Sequence, residues 1–440
     1  MIYSLLPLTA LLISDALVLL GHGLLLTLLP ITANQLGFSD VQVGLTGSSY
    51  FLGFVVGCLF TPFVLKRVGH IRTFAVVASV YAATILLFTF LQNFAGWMLL
   101  RFMVGAMVAG IYMIIESWLN ERADAQRRGA ILSFYAMLNL MMITLAQQFL
   151  NLGTVDTRFL FVLASILLSL SIIPVSITLA LAPTPVSKVT VDFKKVWRHS
   201  RIGIIGTICT GLITGAFWSL APVYGSQSGF TPFELANFMS AVVLGGALFQ
   251  IPLGRFSDKY DRRWVLSFIT FFGAVASFLT FALSSQAFYA GWVSTILGFI
   301  WGGLGMTLYA ICLAHANDNA DSADFVDIGS AILITYGLSS AIGAPIASAF
   351  MSVFGHAALF IFMGVSFSGF CFALILRRRT HVLPITTEDN EAFQAVAGMT
   401  TPEALYLDPR AEDDAEIEFE KGDFQAADGP EMEIEEDKRS

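Results

Sequence analysis

Asp15 and His22 stand in one apolar stretch, "SDALVLLGHGLLL". Seven residues are about two turns of a helix, so the two groups lie on roughly one face. A carboxyl and an imidazole held away from water can carry a coupled proton, and ionisable groups inside hydrocarbon are costly enough to be informative. Arg101 is a third such group, several residues into "RFMVGAMVAG" with Gly105 and Gly110 behind it. Each has a plainer reading. Asp15 can be a hydrogen-bonded structural residue, His22 a satisfied packing histidine, and Arg101 a structural cation that snorkels to the interface. Glu116 lies at the polar end of the same stretch as Arg101, in "ESWLNER", where it can pair with Arg122 or another base.

Other chemistries find no support. The histidines (His22, His70, His199, His315, His356 and His381) form no HExxH or paired ligand motif, and Cys58, Cys209, Cys312 and Cys371 form no CxxC. There is no GxxxxGK[ST] nucleotide loop. No catalytic residues, no metal and no cofactor are expected. His315 and Asp318 are close in "AHAND" but read as a helix cap or gate rather than as a catalytic pair.

The elements that position these groups follow from composition. Of 440 residues 56% are hydrophobic and 13% charged, and the mean hydropathy is +0.74. Such a chain lacks the polar surface of a soluble domain. Twelve apolar segments, at about 5–31, 42–65, 73–92, 95–118, 129–151, 159–182, 202–224, 234–254, 264–284, 287–312, 328–353 and 357–376, are each long enough to cross a bilayer as a helix. The expectation is an all-α membrane protein with 12 transmembrane helices. The first segment has no basic start and reads as a retained span.

Of the 24 basic and 32 acidic residues, 4 and 18 lie from Glu388 onward. The membrane body is therefore mildly basic and the tail strongly acidic. In the body, 18 bases fall in one set of alternate connections and the end of the last span, against Arg158 alone in the other set. This bias predicts that the basic side and both termini are cytoplasmic. It also explains why "GRFSDKYDRR" (254–263) interrupts two apolar runs: its bases hold a short turn out of the membrane. The segment "PTPVSKVTVDFKKVWRHSR" divides the chain into a six-helix half at 1–182, a cytoplasmic linker at 183–201 and a second half at 202–380. Residues 381–440 read as a disordered tail, poor in aromatics and unable to fold alone. A solvated tail, a partner-binding segment and a reversible contact with the basic turns are all open for it.

The halves are related. Sliding the chain by 192 residues brings "LGFS" (36–39) onto "SGFT" (228–231), Gly23 onto Gly215, Pro30 onto Pro222, Gly53 onto Gly245, and "KRVGHIR" (66–72) onto "DKYDRRW" (258–264). Parallel six-helix repeats are a known transporter architecture.

The residues Gly254, Asp258, Lys259, Arg262 and Arg263 resemble the signature turn of the major facilitator superfamily, with Asp261 in place of its second glycine. The first-half copy departs further, with Pro62 for Gly and Lys66 for Asp. "IESWLNERADAQRRG" and "LAHANDNA" are similar to one poorly characterised bacterial branch, which implies a cell inner membrane location. The resemblance covers residues 1–380. It implies a pseudo-symmetric major facilitator fold and a secondary transporter that rocks about a central site. It implies that Asp258, with Lys259, Arg262 and Arg263, belongs to a gate, Asp258 docking near Arg128 and Gly129 at the start of span five; Glu116, paired with Arg122 or another base, reads as a further gate residue or as a plain interfacial salt bridge. A topology determinant with no gating role is the plainer reading of Asp258. Lys66 implies unequal gates, because a base is unfavourable near a helix start. The resemblance further implies proton coupling or substrate binding for Arg101, alongside Asp15 and His22.

Cavities for small organic molecules combine aromatics with a few polar groups. Asn139, Gln147, Trp218, Trp301 and Tyr309 are the cavity-lining candidates, with packing or interfacial anchoring as the alternative. Span five lacks the Gly-Pro motif of drug exporters, which counts against a standard drug–proton antiporter. The expected function is proton-coupled transport of a small organic solute. Multidrug or metabolite efflux is the alternative, a non-transporting sensor or scaffold is a third, and a membrane-embedded enzyme is not expected. The expected partners are the solute, the proton and the lipid bilayer, without nucleic acid, and the protein is expected to be a monomer.

Overall fold

The computed structural model describes residues 2–122, 128–153, 158–177, 197, 200–286, 289–318, 325–380, 401, 402 and 404. Among the described residues, 12 helices are long and apolar enough to cross a membrane, from Thr9–Gln35 to Ala358–Arg377. Numbered in chain order, these are spans one to twelve. Several helices run further than their apolar cores, because backbone hydrogen bonding continues into the polar ends: span four is part of a helix at Phe94–Arg122, and span eight is Pro232–Lys259. Phe60, Phe63, Phe90, Phe134 and Phe372 stand exposed on the outside, as a chain solvated by lipid tails requires.

The repeated sequence builds repeated structure. Gly37 and Gly229 both take a positive φ, 86° and 79°. Two residues later, Ser39 and Thr231 cap spans two and eight through capping boxes completed by Gln42 and Glu234. The helix crossings are duplicated as well. A Cβ at Gly53 would run into the Phe102 carbonyl, and one at Gly105 into that of Tyr50. In the second half, Gly245 meets Phe299 and Gly302 meets Val242 in the same way. Spans two and four thus cross as spans eight and ten do. Gly23 against Ile143 and Ala146 (spans one and five) matches Gly215 against Ser340 (spans seven and eleven). The fold is two pseudo-symmetric six-helix halves.

Span ten departs from a single helix. It opens with a wide turn at Tyr289–Val293, in which Gly291 has φ 89°, and breaks again between Ser294–Gly305 and Thr307–Asn317.

The halves meet through small residues. Gly44 on span two faces Ala344 and Ser348 on span eleven, and Gly47 faces Ser219 on span seven. Ser48 donates to the Ala341 carbonyl (2.6 Å), and Gln227 to Asp40 (2.9 Å). Gln148 donates to Ser240 (2.8 Å), which donates to the Thr144 carbonyl (3.0 Å). All these contacts lie on the side of loops 36–39 and 228–231, opposite the basic turns.

Candidate functional site

His22 and Arg101 belong to one buried network that crosses four helices. His22 Nδ1 is 2.7 Å from the Tyr81 hydroxyl on span three, and its Nε2 is 3.3 Å from the Tyr50 hydroxyl on span two. The Arg101 guanidinium lies over the Tyr50 ring, 5.0 Å from its centre, and its Nε donates to the Thr46 carbonyl (3.4 Å). The cation is held by an aromatic face and a backbone oxygen, both of which suit a desolvated guanidinium. Tyr50 and Tyr81 did not stand out by spacing. The available signal is residue type: in a chain with 39 Phe and 11 Tyr, a tyrosine inside a span is a position at which a hydroxyl can be used.

Asp15 belongs to a second network. It is fully buried, and with the Asn139 amide turned to satisfy both neighbours, that amide nitrogen donates to Asp15 Oδ2 (2.9 Å) and the Tyr135 carbonyl (3.3 Å). Asp15 Oδ1 and the neighbouring Ser14 hydroxyl have no hydrogen-bond partner among the described residues. Asp15 and His22 therefore share a helix but connect to different helices, span five for the acid and spans two and three for the imidazole.

Glu116 is completely buried near the basic-turn end of span four. It accepts from the Tyr135 hydroxyl at Oε1 (3.3 Å), and Oε2 accepts from both the backbone N–H (2.9 Å) and the hydroxyl of Thr401. The side chains of Arg122 and Arg128 and the surroundings of Gly129 lie outside the described residues, as does the rest of the tail apart from Thr401, Pro402 and Ala404. Those three tail residues are buried, and the Ala404 N–H closes a turn on the Thr401 carbonyl (3.1 Å).

In the signature turn, Arg262 is the centre. It is 1% exposed, its Nε lies between the carboxylate oxygens of Asp318 (2.8 and 3.0 Å), and its Nη1 reaches Ser257 (2.8 Å) and Asp258 (3.3 Å). His315 Nδ1 is 3.7 Å from the same Asp318. "AHAND" thus forms the wall against which the turn is latched. Asp261 has its own use, capping span nine by accepting from the Arg263 N–H (2.8 Å). Lys259 is exposed and Arg263 half-buried.

The other candidates are all buried, in different settings. Gln147 ties span five to span one, accepting from Thr27 and donating to the Gly23 carbonyl (2.9 Å). Trp301 stacks on Phe217 (4.8 Å) and donates to Ser277 (3.1 Å), inside the second half. Trp218 packs edge-on beside Phe217, and Tyr309 lies 5.0 Å from Tyr336 with its hydroxyl unpartnered among the described residues.

Comparison with known proteins agrees with this architecture. The family model of the Major Facilitator Superfamily matches residues 11–323 and 204–407. The uncharacterised MFS-type transporter YcaD of Salmonella typhimurium is 29% identical over 385 residues, 86% of this chain and 97% of that protein. Its Escherichia fergusonii counterpart is 29% identical over 382 residues, 85% and 96% of the two chains. Among solved structures, the nucleoside transporter NupG superposes with a TM-score of 0.69 at 16% identity, covering 84% of this chain and 98% of that one. A D-xylose–proton symporter gives 0.66 at 13%, covering 85% and 97%. A bacterial homologue of the human lysosomal transporter Spinster, inward-facing and unoccupied, gives 0.66 at 13%, covering 93% and 97%. With twelve membrane-spanning helices in two equivalent halves and a family match across the membrane body, this chain is a multi-pass membrane transporter and not an enzyme, and it belongs to the Major Facilitator Superfamily.

Proposed function

We propose that the chain is a secondary active transporter that moves a small organic solute by alternating access and couples it to protons. The observation that carries this is Asp15, a buried carboxyl well inside span one with one oxygen bonded to Asn139 and the other unpartnered among the described residues. A half-satisfied carboxyl in an apolar surround is expensive to keep and suits a group that gains and loses a proton during a cycle. The Arg101–Tyr50–His22–Tyr81 network supplies hydroxyl and cationic groups for a polar solute. The one-sided meeting of the halves corresponds to one of the two states that alternating access requires. The basic turns face the cytoplasm, which makes the present state inward-facing, and the Asp258–Arg262–Asp318 latch belongs to the gate that closes on that side.

The test is a thermal-shift screen of the purified protein against nucleosides, sugars, organic acids and drugs, followed by proton flux into proteoliposomes for each hit. A hit that drives proton movement, with Asp15→Asn keeping the thermal shift but losing the proton flux, supports the reading. Solute flux unaffected by a pH gradient removes it.

A further inference from the structure

The tail contact on Glu116 is not explained by transport alone. Thr401 lies 285 residues from Glu116 and belongs to a segment too acidic and too poor in aromatics to fold by itself. Thr401 and Ala404 are nevertheless buried to 0% and 1% exposure, and Pro402 is buried between them. Oε2 of Glu116 takes two donors from one residue, the Thr401 N–H and its hydroxyl, while Oε1 takes the Tyr135 hydroxyl. A buried carboxylate that receives three donors is a built acceptor site, and hydrogen bonds to a charged oxygen are the strong ones.

We infer that Glu116 heads a binding site for an adjacent N–H and hydroxyl pair, and that the chain's own Thr401, with Pro402 and Ala404 beside it, fills it as a tethered competitor. The site asks for a serine or threonine whose amide and hydroxyl point the same way, followed by a tight turn that buries a small side chain. Proline at 402 favours that turn, and Ala404 supplies the small side chain. A segment on the same chain is always present beside its site, so a weaker contact keeps it seated than a free peptide would need. Glu116 and Tyr135 lie on spans four and five, away from the side where the halves already meet. The opposite state brings the halves together on this side, so that closure must first expel Thr401. Restraint of the cycle is the part that rests on the alternating-access reading; occupancy of the site does not depend on it.

Two measurements test occupancy without any substrate. In hydrogen–deuterium exchange of the full-length protein, a peptide covering 400–406 exchanges slowly, and Glu116→Gln speeds it at least tenfold. Exchange at the rate of an unstructured chain in the native protein overturns the inference. In the second, a fluorescent synthetic peptide of residues 398–407 binds a chain truncated after Thr380 at least tenfold more tightly than it binds the full-length chain, and Glu116→Gln in the truncated chain weakens binding by a similar factor. Equal binding to the full-length and truncated chains overturns the inference. If truncation costs the fold, Thr401→Val in the full-length chain gives the same comparison, since it loosens the resident segment and admits the peptide. Protection and peptide binding without any solute flux would refute the transport reading and leave the site standing.

Discussion

His70 occupies in the first half the position that Arg262 holds in the second, 192 residues later. Each reaches back to the helix that ends beside it, but with different chemistry. His70 Nε2 is 3.0 Å from the Ser117 hydroxyl, and Arg262 Nε is 2.8 Å from the Asp318 carboxylate. The duplicated turn is thus closed by a histidine–hydroxyl contact on one side and by a buried ion pair on the other.

Unequal contacts give unequal costs. Removing Ser117 by Ser117→Ala leaves one buried imidazole nitrogen unpaired and should cost roughly 1–3 kcal/mol. Asp318→Ala leaves a buried guanidinium without its main counter-charge and should cost roughly 3–5 kcal/mol. Thermal unfolding of the purified variants in detergent checks the order. A Ser117 variant as damaged as the Asp318 variant would contradict it.

The helix crossings predict where size is tolerated. Gly53→Leu and Gly245→Leu both drive a side chain into a neighbouring carbonyl and should abolish the monodisperse peak in size-exclusion of solubilised membranes. Gly369→Leu faces open space and should leave the peak unchanged. Loss of the peak in only one of the first two would show that the crossings are not equivalent.

The His22 network separates relay from packing by a single atom. Tyr81→Phe removes the hydroxyl 2.7 Å from His22 Nδ1 with little change in volume. A buried imidazole nitrogen left unpaired should lower stability by roughly 1–3 kcal/mol, read from unfolding in detergent. Unchanged stability would mean that His22 finds another partner and that the network is looser than drawn.

Much of this was legible in the residues because it is local or repeated. The spans follow from apolar length. "LGFS" and "SGFT" carry, within four residues, the glycine that turns the chain and the hydroxyl that caps the next helix. The repeat fades beyond about fifty residues for a visible reason. Gly105 corresponds in the structure to Gly302, an offset of 197 rather than 192, so five residues have entered between Arg262 and Gly302, a stretch that includes the wide turn at Tyr289–Val293. Pairings of distant residues leave no such trace. Nothing in the spacing of Tyr50, Tyr81 and His22 announces that they meet, and an acidic tail offers no periodicity from which Thr401 could be chosen. Asp15 and His22 share a helix face in the sequence, and only the neighbouring spans, absent from that local pattern, divide the pair between two networks.

Orientation can be read with two cysteines. The native thiols Cys58, Cys209 and Cys312 are buried and Cys371 is only partly accessible, so background labelling is low. Gln35 and Lys259 are both exposed, one beside the loop at 36–39 and one in the basic turn. With the basic turns in the cytoplasm, a membrane-impermeant maleimide applied to intact cells should label Gln35→Cys and spare Lys259→Cys, and opening the cells should reverse the protection of the second. The 18-to-1 distribution of bases makes this a strong expectation, since loop charge sets topology. Labelling of Lys259→Cys from outside would invert the molecule. The state in which the halves meet near Asp40 and Gln227 would then be outward-facing, and the tail segment on Glu116 would sit on the external side.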